Sequence, residues 1–433
     1  MLLPMLGLLR EASFRWLWIG RAASLLGMRL ADLALPWLLL QSTSSVWVTG
    51  AALACDRLAA LVLSIPVGVW VDRGSKWKAA LLAEALRITA TSALAGLALV
   101  GPVRPWVTAL LLASLGAADV LHIAAFRPLV VHTVGWARLA AAFNLNEGAD
   151  AVATLLGPLL AGTIIGRYGA GWALAADALT DLLAVVSLLA AGVAASGRQH
   201  PEERPYSQPQ AAASRDAPKR PGSGAWDGFR YLWRAPLARR LAVAGCLLST
   251  TSVAVGLWGV VLARDELHWD AERTGWIFSA MGAANVVAVL LLGAIGDRVA
   301  WSRLFTGAVA LAAAGTLVLA AARSVLAVLM GALLLDGALS AAFVLQSSRL
   351  TAVTPPDRMA RVTVAAGLAD DGVRALGRVL AGSAAEVGVR WALLGWGLVL
   401  AAASLWIHRW GRFSCWPWAG PSCLGPDRRR STA

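Results

Sequence analysis

Charge is scarce in this chain. Asp, Glu, Lys and Arg make up only 15% of its 433 residues while hydrophobic residues make up 58%, a balance that excludes an ordinary soluble domain of this size. The five histidines (His122, His132, His200, His268 and His408) are dispersed, and no H-x-x-x-x-D pair exists. An integral-membrane acyltransferase would therefore lack a catalytic cluster. No G-x-x-x-x-G-K-[ST] segment is present, which argues against an ATP-driven pump in one chain. The four cysteines (Cys55, Cys246, Cys415 and Cys423) lack C-x-x-C spacing, so no metal site is expected. They are read as reduced thiols, with Cys415 and Cys423 close enough in the tail to interact. The first apolar run leads into Gln41-Ser42-Thr43-Ser44-Ser45 without an A-x-A site, and it is expected to stay as a helix.

What remains is a series of long apolar runs. A span needs about 20 apolar residues, and twelve fit at about 15–40, 46–71, 79–100, 105–126, 138–165, 172–195, 241–263, 274–296, 303–322, 325–348, 360–385 and 391–409. The expected fold is an all-α integral membrane bundle of twelve transmembrane helices in two six-helix pseudo-symmetric halves. Residues 1–195 form the first half, 196–240 a cytoplasmic linker, 241–410 the second half and 411–433 a cytoplasmic tail. Six prolines mark the linker and predict flexibility in its first part. Around Trp226, Phe229, Tyr231, Leu232 and Trp233 it reads either as a short amphipathic helix on the membrane surface or as a plain lead-in to helix 7.

The formal charge of +13 invites a nucleic-acid reading, but the positions of the cations argue for topology. With the N-terminus inside, the inner segments hold 26 Lys or Arg and the outer loops six, while six more lie within helices. The positive-inside rule then places both termini in the cytoplasm. Arg428, Arg429 and Arg430 suit anionic lipid rather than DNA. The expected surroundings are the cytoplasmic (inner) cell membrane, as a multi-pass monomer with no nucleic-acid partner.

Two short loops repeat. Gly68-x-x-x-Asp72-Arg73 follows the second apolar run, and Gly293-x-x-x-Asp297-Arg298 follows the eighth, 225 residues later. Gly68 leaves room for a neighbouring helix, and the Asp72 carboxylate can accept hydrogen bonds from the open N-terminus of a facing helix. Arg73, Lys76 and Lys78 sit at headgroup level and can pair with Asp72 or another inner acid.

Together with the six-plus-six pattern, these loops resemble the signature loop of the major facilitator superfamily. The first copy departs from that pattern at Ser75 and Trp77. The opening Phe14-Arg15-x-Leu17-Trp18-Ile19-Gly20, with Ser24-Leu25-Leu26-Gly27 and Ala34-Leu35-Pro36-Trp37, is similar to the macrolide-efflux-like exporters of that superfamily. Gly157-Pro158 with Gly162 resembles an antiporter motif, with alanine at positions 153 and 161. The resemblance implies a gating role for Gly68, Asp72, Arg73, Lys76, Gly293, Asp297 and Arg298, and a kinked, closely packed fifth helix at Gly157, Pro158 and Gly162.

Ionisable groups inside spans are costly, by at least ~2.5 kcal/mol at mid-bilayer, so they are the candidates for binding and coupling. Arg29 and Asp32 share a face of helix 1. Asp56 and Arg57 lie in helix 2. Glu84 and Arg87 are spaced as an ion pair on helix 3. Asp119 and His122 are spaced on helix 4 either as a proton relay or as a structural hydrogen bond. Asp150, Asp177, Asp181 and Asp336 complete the acids with an expected cavity role. On helix 11, Asp370 and Asp371 are alternative partners for Arg374, with Arg378 one turn beyond. Trp37, Phe126, Phe143, Trp258, Phe278 and Phe343 offer an apolar cavity wall or, singly, lipid-facing packing. Asp32 ranks first for proton coupling, then Asp119 with His122, then Asp56.

The expected activity is secondary transport of a small molecule without a cofactor, the proton gradient supplying the energy: efflux of a hydrophobic compound such as an antibiotic. The same fold also suits siderophore export or metabolite uptake, and a membrane enzyme is a remote alternative.

Overall fold

The computed structural model describes residues 7–135, 138–196, 224–295, 299–355 and 358–410. After a 3-10 turn at Leu8–Arg10 come α1 (Ala12–Thr43), α2 (Val46–Arg73), α3 (Lys76–Val100), α4 (Pro105–Val134), α5 (Leu139–Tyr168) and α6 (Ala170–Ser196). They are followed by α7 (Gly224–Arg234), α8 (Pro236–Val261), α9 (Ala271–Ile295), α10 (Trp301–Ala321), α11 (Val325–Val353) and α12 (Met359–Trp410). Local chemistry sets the boundaries. The hydroxyls of Ser45, Ser75 and Ser324 accept the first free backbone N–H groups of α2, α3 and α11, and proline opens α4 and α8 where its missing N–H costs nothing.

The 52 residues of α12 would reach about 78 Å as a straight helix at 1.5 Å per residue, more than twice a bilayer core of about 30 Å. The chain folds back at Gly388, whose φ of 143° only glycine adopts without strain. The two arms lie either side of that residue. Among the described residues eleven helices are long and apolar enough to cross a membrane, and the last contains both arms, giving twelve crossings.

Several spans run past the bounds read from the sequence, the fourth furthest. The fourth span was expected to end at residue 126, before Arg127-Pro128, but α4 runs through Pro128 to Val134; inside a bundle, a proline's lost hydrogen bond is tolerated where neighbours re-satisfy the backbone. The stretch around Tyr231 takes the amphipathic-helix alternative as α7. Gly228 there lies flush against the Arg361 backbone, where an added β-carbon would sit 2.1 Å from the carbonyl oxygen. Tyr231 donates its hydroxyl to the Val353 carbonyl at 3.0 Å, while Trp226 and Trp233, two turns apart, stay exposed.

The helices pack in two matching groups. In the first, α1 packs on α5 and α6, α2 on α4, and α3 on α4 and α6; in the second, α8 packs on α12, α9 on α11, and α10 on α11 and α12. The groups meet along two seams, α2 against the first arm of α12 and α5 against α9. At one end of the bundle a single apolar core draws on both groups, from Trp37, Val46 and Ile165 to Trp258, Ala271 and Val389. At the other end each group keeps a core of its own, around Phe14, Ala79 and Leu129 in one and Phe305, Leu339 and Ile407 in the other. The molecule is closed at the first end and split at the second.

Glycines on the four seam helices record the same asymmetry. At the closed end a β-carbon on Gly50 would lie 2.4 Å from the Arg378 carbonyl oxygen and 3.1 Å from the Gly382 α-carbon; on Gly275 it would lie 2.4 Å from the Pro158 carbonyl and 3.1 Å from the Gly162 α-carbon. Toward the split end, Gly68, Gly148, Gly293 and Gly367 have nothing within 4 Å of the same construction.

Candidate functional site

Midway along the bundle a cavity of about 400 Å³ lies between the two groups. Arg29 and Asp32 reach it from α1, Asp56 and Arg57 from α2, Phe278 and Asn285 from α9, Asp336 from α11, and Arg374 and Arg378 from α12. Spacing on single helices foreshadowed part of this. Arg29 Nη1 meets Asp32 at 3.2 Å as expected, and Arg29 Nη2 also binds Asp150 of α5 at 2.8 Å. Of the two alternatives on α12, Asp370 takes Arg374 at 2.7 Å and also accepts from the Ser249 hydroxyl. Asp371 turns instead toward Arg57 of α2, at 3.9 Å.

The partner that the sequence did not reveal is Arg378. Its guanidinium reaches across the seam to the Asp56 carboxylate and to the Leu53 carbonyl. Arg378–Asp56 and Arg57–Asp371 thus tie α2 to α12 near the cavity. No local spacing carries this signal, because the partners are 322 residues apart in the chain. Asp336 forms no ion pair among the described residues.

The remaining intramembrane charges lie outside this cavity, and there the structure exchanges partners. Glu84 and Arg87 do not pair with each other, nor do Asp119 and His122. His122 Nδ1 meets Glu84 Oε1 at 2.9 Å, Arg87 Nη1 meets Asp119 at 2.6 Å, and Arg87 Nε meets Asp181 at 3.3 Å. Both i,i+3 readings fail for one reason: α3 and α4 pack side by side, and a neighbouring helix offers a better-directed partner than the next turn of the same one. Asp177 and Asp181, expected to face the cavity, are buried at 2% and 0% exposure in the α1–α6 group and do not line it.

The aromatic wall is also largely absent. Of the six named aromatics Phe278 lines the central cavity, and Phe343 lines a second one of about 420 Å³ among α8, α11 and α12. Trp37 is buried under Arg264, with 5.9 Å to the ring centroid, and Phe126 stacks on His122 at 5.1 Å. Phe143 lies beneath Arg127, and Trp258 donates to the Ala381 carbonyl at 2.9 Å.

In the repeated loop, Lys76 does not pair with the Asp72 carboxylate. Its ammonium donates to the backbone carbonyls of Val71 and Asp72, closing the free C-terminal carbonyls of α2. Asp72 and Arg73 are exposed and unpaired among the described residues. Gly68 and Gly293 face open space, so the close approach expected at Gly68 is not made here. Asp297 and Arg298 lie outside the described residues, as do Cys415 and Cys423.

The antiporter-like segment is a packing hub. A β-carbon on Gly157 would sit 2.3 Å from the Arg29 β-carbon, and one on Gly162 would sit 2.5 Å from the Ala271 carbonyl oxygen. One glycine therefore seats the cavity arginine of α1, and the next, with Pro158, seats α9 across the seam.

A polytopic bundle of two six-helix groups, enclosing a charged cavity at a seam closed at one end, defines a membrane carrier rather than an enzyme. Residues 17–377 match the Major Facilitator Superfamily model, and the chain belongs to that family. Among curated proteins it is similar to the enterobactin exporter EntS of Escherichia coli O1:K1, at 24% identity over 66% of this chain and 64% of that protein. The alignment thus spans slightly less than two thirds of that relative. Among solved structures the fold is similar to the nucleoside transporter NupG, at a TM-score of 0.72 and 12% identity over 91% of this chain and 99% of that one. It is also similar to a bacterial homologue of the iron transporter ferroportin, at 0.65 and 14% over 92% and 98%.

Proposed function

We propose that this chain is a proton-coupled exporter of a small molecule, acting as a monomer in the cytoplasmic membrane with both termini inside. The observation that carries the reading is the cavity bounded by cross-seam ion pairs, above which the seam is sealed and below which it is split. A carrier working by alternating access needs such a two-state seam. The basic loops lie at the split end, so under the positive-inside rule the cavity opens to the cytoplasm. Outward release then requires the contacts Gly50–Gly382 and Gly162–Gly275 to part while Gly68 and Gly293 gain neighbours. Asp72 and Asp297 would latch the inner side in that second state.

The cavity also refines the expected substrate. Arg29, Arg57, Arg374 and Arg378 give it fixed cations, each engaged by an aspartate, and guanidinium forks suit a carboxylate. An amphipathic molecule with an acidic group, exchanging for those aspartates, fits better than a purely hydrophobic antibiotic. This favours siderophore-like export as a second reading, in line with the relative named an enterobactin exporter; the macrolide-efflux-like opening supports the antibiotic reading.

The test is uptake into inside-out vesicles, with erythromycin and enterobactin as probes. An imposed pH gradient should drive accumulation of one of them, and a protonophore should abolish it. Accumulation that survives collapse of the gradient rejects antiport.

A further inference from the structure

Away from the cavity, inside the α1–α6 group, lies a second set of ionisable groups with too few cations. Glu84 and Arg87 come from α3, Asp119 and His122 from α4, Asp177 and Asp181 from α6, and Arg21 from α1. Arg87 joins Asp119 and Asp181, and Thr91 donates to the second oxygen of Asp181 at 3.1 Å. Arg21 Nη1 stands 3.2 Å from His122 Nε2. A guanidinium can only donate, so Nε2 accepts and Nδ1 carries the proton that goes to Glu84, which leaves His122 neutral. Four carboxyls, Glu84, Asp119, Asp177 and Asp181, then share two cations, Arg21 and Arg87.

Two carboxyl oxygens of the network are buried without a hydrogen-bond partner, Glu84 Oε2 and Asp177 Oδ1; Glu84 keeps His122 on its other oxygen, whereas Asp177 has no ion pair among the described residues. Asp177 is 2% exposed. Its Oδ1 lies against the backbone of α1, where a β-carbon on Gly27 would come within 2.3 Å of it. Arg87, already engaged by Asp119 and Asp181, is the cation that faces Asp177, set against Asp181, Asp119 and, from the cavity face of α1, Asp32. Ionised carboxylates are not buried without a partner, and a neutral acid is the stable form of such a group. A cavity of about 20 Å³ beside Arg21, Glu84, His122 and Phe126 is large enough for one water. It lies toward the split end, on the Arg21, Glu84 and His122 side of the network.

We infer that this buried network, centred on Asp177, is a proton-binding site of the carrier, separate from the substrate cavity. The inference rests on the proton-coupled reading above for its role and on the charge imbalance for its existence. The step is the transfer of one proton onto the Asp177 carboxylate, giving the neutral acid. Two contacts place the site next to the moving parts. Gly27 precedes Met28-Arg29 on α1, so Asp177 backs the segment that carries the cavity arginine. Asp119 lies one turn beyond Gly116, whose added β-carbon would sit 2.0 Å from the Asp56 carbonyl oxygen; Asp56 in turn holds Arg378 across the seam.

The site is tested by infrared difference spectroscopy on the purified full chain in lipid nanodiscs. The wild type should show the carbonyl stretch of a protonated carboxylic acid at neutral pH. Asp177→Asn should remove it, and Asp32→Asn should leave it. A band that persists in Asp177→Asn overturns the site. If that variant does not fold, Gly27→Ala, which sets a methyl group 2.0 Å from the Thr180 hydroxyl and 2.3 Å from Asp177 Oδ1, must shift the band; an unmoved band overturns it equally. For the coupling role, Asp177→Asn should lower accumulation of the transported probe, erythromycin or enterobactin, at least tenfold under a pH gradient while sparing downhill flux. Wild-type pH dependence in this variant refutes the role. Wild-type transport that ignores the gradient instead refutes the antiport reading, and shows this before any variant is made.

Discussion

At the residue scale the decisive feature is the exchange of ionic partners between helices. Asp56 and Arg378, 16% and 20% exposed, form a pair that either replacement leaves half-made. Removing one member of a buried pair costs about 3–5 kcal/mol, and the cavity's polar surroundings put this pair at the lower end. Asp56→Asn should therefore lower unfolding stability by about 3 kcal/mol, measured in mild detergent. A cycle with Arg378→Gln should show a coupling above about 1 kcal/mol. By contrast Asp227 and Arg361 are both more than 40% exposed, and Asp227→Asn should change stability by less than about 1 kcal/mol in the same assay. The acids and arginines were legible as such in the sequence, since charge within an apolar run stands out. Their partners were legible only where one helix supplied both, as with Arg29–Asp32 and Asp370–Arg374. Glu84, Asp119 and Arg378 found theirs on other helices, which i,i+3 and i,i+4 spacing does not encode.

At the element scale the seams depend on small residues. Gly50, Gly162, Gly275 and Gly382 let α2 meet α12 and α5 meet α9 backbone to backbone, the close approach on which membrane helix packing relies. Gly275→Leu would drive a side chain into the Pro158 carbonyl and should part the closed end. Cysteine-labelling at Trp106→Cys, beside that end, should then quicken at least tenfold over the same probe with Gly275 intact. Helix α7 sets a second constraint. Gly228→Val collides with the Arg361 carbonyl, and the α7 backbone amides should exchange hydrogen at least tenfold faster, equivalent to about 1.4 kcal/mol of lost docking. Apolar run length was enough to read all twelve spans, including the break near Gly388 between the last two. It did not separate a docked α7 from a lead-in, because eleven residues of mixed polarity fit both, and the contacts that decide it lie over a hundred residues away.

At the scale of the whole molecule, the repeated Gly-x-x-x-Asp-Arg loop and the glycine seams are two ends of one device. Gly68 and Gly293 face open space here, so Gly68→Leu should leave the stability of this state within about 0.5 kcal/mol of wild type yet suppress transport, by blocking closure at the split end. Equal loss of stability and transport would show that Gly68 is packed in this state after all. The membrane class, the twelve spans and the duplicated loop follow from hydropathy and repeats. The conformational state does not, because the same sequence must close at either end.

The central claim is that the two ends of the bundle open and close in opposition, driven by protons. Double electron–electron resonance tests it most directly, on a cysteine-free background labelled in pairs. Ser75→Cys with Arg303→Cys spans the split end, and Trp106→Cys with Arg323→Cys spans the closed end. Raising the pH, which removes the proton held on Asp177 at neutrality, should shorten the first distance and lengthen the second within one protein preparation. Two distances that move together, or neither moving while the pH gradient still drives transport, would contradict the account.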